Sequence, residues 1–311
     1  MTVAAVPGGP SGRSARTVWP TDRWRPAQAR HRALVDDLTA AARERKAAGV
    51  THPVEDFLFT YYRMRPSKLR HWHPGAAQAL RDAPEHAELR FYRTADGITG
   101  VDLPAFAADR GETLTLVRRL LTATAAATPQ FGCFGLHEWA MVHRQTEEQR
   151  RHGTWPLRLG QQGTDDVVTS HPVRCSHFDA FRFFTPAARP LNLLQPTVST
   201  RVEMEQPGCL HASMDLYKWS YKMLPVVSSE LVLDCFQLAR DVRELDMRAS
   251  PYDFTALGYR PVRIETTAGK AEYVAGQREF AGRAGALRVR LLHALAVTDH
   301  PQVGGLDGRG G

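Results

Sequence analysis

The sequence predicts a mainly α protein: a single, bundle-like helical domain with minor extended segments. Three observations carry that expectation. Many segments space their apolar residues by three and four, the period of a helix buried on one face. No long alternation of strands with helices and no internal repeat is visible. The content, 43% hydrophobic and 23% charged, is ordinary for a globular chain of 311 residues.

Taken in order, residues 1–25 read as a disordered basic arm rich in Gly, Pro and Ser. Arg13, Arg16, Arg23, Arg25 and Arg30 face one acid, Asp22, over the first thirty residues, which accounts for four of the seven net positive charges. The arm suits a weak nucleic-acid contact, while the rest of the chain is too nearly neutral for a dedicated nucleic-acid binder. The helical domain then spans 26–296, and 297–311, ending in GGLDGRGG, reads as a disordered tail. WRPAQARHRALVDDLTAAARERKAAG predicts a first helix that ends at Gly49. Phe57, Tyr61 and Met64 continue at helical spacing until Pro66 bends or ends the helix. GETLTLVRRLLTATAAATP predicts a helix closed by Pro129. FGCFG is a glycine-punctuated turn that launches LHEWAMVHRQTEEQRR as another. The phenylalanines of TDDVVTSHPVRCSHFDAFRFFTP fit either period. GCLHASMDLYKWSYK and SSELVLDCFQLARDVRELDMRA predict two more helices, and PVRIETTAGKAEYV a short extended piece before a last helix near 271–296. No apolar run approaches the roughly 18 residues of a membrane span, and no signal-peptide core opens the chain. The expected location is cytoplasmic, with no membrane partner and with the four cysteines as free thiols.

The helix GCLHASMDLYKWSYK inverts the usual amphipathic pattern. His211, Asp215, Lys218 and Lys222 fall on one narrow stripe, and nearly everything else is apolar or aromatic. Burying such a stripe is costly unless its groups are paired or metal-bound. Its block, GCLHASMD, has two counterparts, GCFGLHEW with Cys133, His137 and Glu138, and RCSHFD with Cys175, His177 and Asp179. Histidines and carboxylates projecting from several helices are how helical cores gather iron or manganese. The expected ligands are His137, His177, His211, Asp215 and Asp179. The expected ion is a divalent metal, with iron preferred over manganese or zinc. Asp215 and Glu138 are the candidate acid–base groups. Lys218 and Lys222 would hold an anionic substrate group, and His143 points elsewhere. Asp179 has a second reading, as the partner of Ser176 in a helix capping box. Each cysteine reads equally as a small buried hydrophobe.

TYYRMRPSKLRHWHPG interleaves Tyr61, Tyr62 and Trp72 with basic residues, so Arg63, Tyr62 and Trp72 join the candidate substrate-binding set. On these residues the function predicted is a metal-dependent enzyme, an oxidoreductase such as a non-haem iron oxygenase or else a hydrolase. It would act on a small anionic metabolite, as a monomer or a homodimer.

HPVEDFLFTYYRMRPSKLRHWHPG, GCFGLHEWAMVHR, CSHFDAFRFFTPAARPLN and QPGCLHASMDLYKWSYK together resemble an actinobacterial family that carries the label 3-methyladenine DNA glycosylase. The resemblance covers roughly residues 50–280. It implies an alternative activity, excision of alkylated purines from DNA. Tyr61, Tyr62 or Trp72 would then hold the extruded base, and Asp215 or Glu138 would activate water. The chain has no L-P-G-x-G hairpin, no Pro-Glu start and no tandem helical repeat.

Overall fold

A computed structural model describes residues 16–299, apart from Arg63, Arg151 and His152. The chain opens with a strand, β1 (Thr17–Trp19), and a long helix, α1 (Thr21–Ala47). Part of the expected arm is therefore ordered. β1 pairs in parallel with β2 (Gln78–Arg81), Arg16 donates to the carbonyl of Val101, and Trp24 is fully buried. Residues 1–15 of that arm and the tail from 300 lie outside the described residues.

Two short helices, α2 (Phe57–Tyr61) and α3 (Pro66–Leu69), replace the one that Pro66 was expected to break. α4 (Pro84–Ala87) and the strands β3 (Tyr92–Ala95) and β4 (Ile98–Val101) follow. β3 and β4 form a hairpin across Asp96 and Gly97, both left-handed, with φ of 51° and 72°. Asp-Gly at a two-residue turn is a strong hairpin signal, because both positions need positive φ. The sheet order is β1-β2-β4-β3.

The rest is helical: α5 (Leu103–Ala126), α6 (Leu136–Ala140), α7 (Gly160–Ser170), α8 (Phe178–Phe181), α9 (Arg201–Met204), α10 (Leu210–Lys222), α11 (Ser229–Arg248) and α12 (Thr267–Ala296). The predicted mainly α class holds, and one large core runs through α5, α6, α10, α11 and α12. α10 lies at the centre and packs on both α11 and α12. Nearly all its residues are buried, which is why its sequence lacks a broad polar face. α12 turns Tyr273, Gln277, Phe280, Ala284, Leu287 and Leu291 inward at alternating spacings of four and three. Two expectations fail locally. LHEWAMVHR is helical only to Ala140, because Arg144 turns left-handed and His143 swings inward to pair with Asp165 at 2.9 Å. Residues 261–266 form no strand and turn at Ile264 and Glu265, and helix α12 already begins at Thr267.

Candidate metal centre

Three elements bring the three predicted histidines into one row. His137 comes from α6, which the left-handed pair Phe134–Gly135 aims into the core. A Cβ on Gly135 would sit 3.2 Å from the Tyr273 ring, so glycine is what lets α6 approach α12. His177 precedes α8 on a segment pinned by Asn192, whose side chain bonds the backbone N–H and C=O of Cys175 at 2.7 and 2.9 Å. His211 sits between them in the first turn of α10. Its ring centroid is 4.5 Å from that of His137 and 5.2 Å from that of His177. All three are buried.

The carboxylates divide this row in two. His137, His211 and Asp246 each offer a donor atom, and these atoms lie within 4.8 Å of one another. His177, Asp179 and Asp215 form a second such group. Asp246, on α11, was not among the sequence candidates. The Nε2 atom of His137 lies 3.0 Å from Oδ1 and 3.2 Å from Oδ2 of Asp246. Only the second contact has hydrogen-bond geometry, so Oδ1 is a buried acceptor without a donor. Next along the same helices, Arg243 donates to Glu138 at 3.1 Å.

The second group already contains a cation. Lys218 donates to Asp179 at 3.0 Å and to Asp215. The remaining oxygen of Asp215 accepts from Tyr62 at 2.8 Å, and Arg201 lies 2.8 Å from Asp179. His177 approaches Asp215 and Glu205 at 3.3 and 3.5 Å without hydrogen-bond geometry to either. Removing a carboxylate from water costs several kcal/mol, about what a well-placed ammonium returns. The ammonium of Lys218 thus fills the position an ion would take.

The ionisations agree with this division. Burial opposes ionisation of Asp215, but Lys218 and His177 hold its carboxyl well below the usual range. Asp179 is likewise lowered against burial by Lys218. Burial opposes the charge on Lys218 as well, and Asp215 and Asp179 raise it nonetheless. In the first group, burial disfavours a charged His137, yet Asp246 lifts it well above its ordinary value. Asp246 falls to about 2 against burial, through His137. Burial, and then the neighbouring His137, push His211 well below its ordinary value, so it stays neutral with a lone pair free.

A cavity of about 170 Å³ reaches this first group from outside, with His211, Glu138 and Arg243 among its lining residues. Its other walls are mostly apolar and aromatic. Asp179 touches the cavity, whereas Asp215 does not line it.

The other predicted residues are placed as follows. Lys218 is tied between two carboxylates, which leaves it no free face for a substrate anion. Lys222 lies over the Trp219 ring, 5.4 Å from its centroid, and lines no part of the cavity. Tyr62 is buried against Asp215. Trp72 is buried in a separate small cluster with Trp24 and Leu80, where it donates to Glu230. Neither aromatic faces the cavity. Arg63 lies outside the described residues. Asp179 makes no capping box, since His177 occupies the N-cap of α8 and no side chain caps that helix. The four cysteines are free thiols. Cys175, Cys209 and Cys235 are buried, and burial raises all three.

Fold and site together define a mainly α protein with a buried histidine–carboxylate centre at the end of a small cavity. No protein family, no curated protein and no solved structure matches the chain.

Proposed function

We propose that this protein is a metal-dependent enzyme that acts on a small molecule bound in the cavity beside His211. The observation that supports it is the triad of His137, His211 and Asp246, with a buried carboxylate oxygen that accepts no hydrogen bond among the described residues. Two histidines and one carboxylate, arranged to leave positions open, form the donor set of non-haem iron sites. Iron is therefore the expected ion, ahead of manganese or zinc, and an oxidoreductase the expected class. A bound ion would supply a Lewis acid and an open position for oxygen, water or substrate.

The chain's own groups have separable tasks. To hold an ion His137 would have to be neutral, so a bound ion would take the place of the proton it shares with Asp246. Glu138, beside His211 on the cavity wall, is within reach of a substrate as an acid–base group. Arg243 holds Glu138 in place. Asp215 stands behind the row, where it orients Tyr62 and Lys218 and approaches His177.

Metal analysis of purified protein tests the assignment. Wild type should carry close to one equivalent of metal. His137→Ala, His211→Ala and Asp246→Asn should each lose most of it, because a three-ligand site does not easily replace a lost donor. His177→Ala and Asp179→Asn should keep it. Loss in the second set alone would move the ion to the other triad, and metal-free wild type from iron-supplemented cells would end the proposal. Duplex DNA containing N3-methyladenine should release no base, and enzyme-dependent release would favour the excision activity.

A further inference from the structure

The walls of the cavity carry information about its occupant. Phe57 and Tyr61 stack nearly parallel, with ring centroids 5.0 Å apart and planes at 11°. Phe183 meets Tyr61 edge-on at 6.5 Å and is 42% exposed at the rim, although it is a large apolar ring. Tyr252, Met141 and Val142 also line the space. An apolar cavity of roughly 150 Å³ accepts one benzene molecule, and this one measures about 170 Å³. It therefore has room for a single ring with a small substituent.

Charge narrows the class further. The guanidinium on the wall, Arg243, is already bound to Glu138 at 3.1 Å and stands 3.9 Å from Asp246. Asp179 is already held by Lys218 and Arg201. Among the described lining residues a substrate anion would find only the Arg243 guanidinium, whose charge Glu138 balances although its Nε makes no hydrogen bond. A hydroxyl or amino group would find His211 and Glu138 among its neighbours.

We infer that the cavity recognises a neutral molecule of one aromatic ring bearing a hydroxyl or amino group, of the phenol or arylamine class. The ring lies among Phe57, Tyr61 and Phe183, and the substituent points to His211. The orientation of the substituent rests on the metal-centre reading, whereas recognition of the ring does not.

The test is calorimetric binding of phenol, cyclohexanol and benzoate to protein as purified and after chelation, with metal content measured on the same samples. Phenol should bind at least about tenfold more tightly than cyclohexanol, which matches its size but lacks a π face. It should also bind more tightly than benzoate. Phe183→Ala should weaken phenol by about fivefold, and Met141→Trp, which fills the cavity, should abolish binding while metal content stays unchanged. Equal affinity for cyclohexanol, tighter binding of benzoate, or no phenol binding at about 10 mM would each overturn the inference. Phenol binding by protein that carries no metal as purified would leave the ring site standing and remove the enzyme proposal.

Discussion

At the residue scale, Lys218 stands where the second histidine–carboxylate group could otherwise take an ion. Its ammonium lies between two carboxylates that otherwise have metal-ligand spacing. Lys218→Met should remove the cation that Asp179 and Asp215 share, leaving Arg201 beside the first and only the Tyr62 hydroxyl bonded to the second. Breaking a buried pair in this way costs about 3–5 kcal/mol, so the variant should melt well below wild type in chelator. Added manganese or zinc should restore much of the loss, and a second equivalent should remain bound. A variant with normal stability, or one that metal does not rescue, would mean that Lys218 does not substitute for an ion. The histidines were legible in the sequence because three blocks repeat Cys, His and acid. Asp246 was hidden among the many charges of α11. It had left a signal, though: Cys235, Ala239, Val242 and Asp246 run at spacings of four, three and four, all buried. That is an acid on an apolar stripe, the same inversion that marks His211 and Asp215. The pairing of Lys218 with Asp215 was also visible as an i,i+3 relation, but its choice of Asp179 over a substrate depends on where α8 lands.

At the scale of elements, the long helices were legible from period and breakers, and the short ones were not. α6, α8 and α9 span four or five residues each, too few to show a period, and tertiary contacts hold them. The sheet was missed although Asp96–Gly97 marks its hairpin, because its four-residue strands offer little alternation to read. The glycines of α12 separate intrinsic helix preference from packing. A Cβ added at Gly282 would meet only open space, so Gly282→Ala should stabilise the protein by about 0.5–1 kcal/mol. A Cβ added at Gly269 would run into the carbonyl oxygen of Arg263, so the same change there should destabilise despite the better helix former. Denaturant midpoints of the two variants should move in opposite directions. Two stabilising shifts would mean that the turn before α12 yields easily.

At the scale of the whole molecule, titratable groups are buried in two places, and the depressed carboxylates of one and the depressed histidines of the other both cost stability in acid. The site holds carboxylates against cations, while the region around the sheet holds neutral histidines. Burial lowers His31 and His86 below their ordinary value, and His73 is pushed down to about 3, by burial first and then by the neighbouring His86. Unfolded, these rings would take up protons near 6.5. Stability is therefore greatest above that pH and falls as acid approaches 3, because the unfolded chain binds protons the fold refuses. His73 contributes a slope of up to about 1.4 kcal/mol per pH unit in that window. His73→Gln should flatten the dependence of the melting temperature between pH 6.5 and 4.5, and an unchanged slope would place the sensitivity elsewhere. Among the described residues, no helix is long and apolar enough to cross a membrane. The row of histidines has a consequence for biosynthesis as well. Its partners are scattered from Tyr62 to Asp246, and the last helix packed on α10, α12, ends at Ala296. Asp246 is the last of these groups in the sequence, so until α11 is made the nascent protein must keep His137 and His211 hydrated. The second group, complete with Lys218, precedes α11 and can pair first, whereas a chain cut short before α11 lacks the Asp246 carboxylate that closes the first.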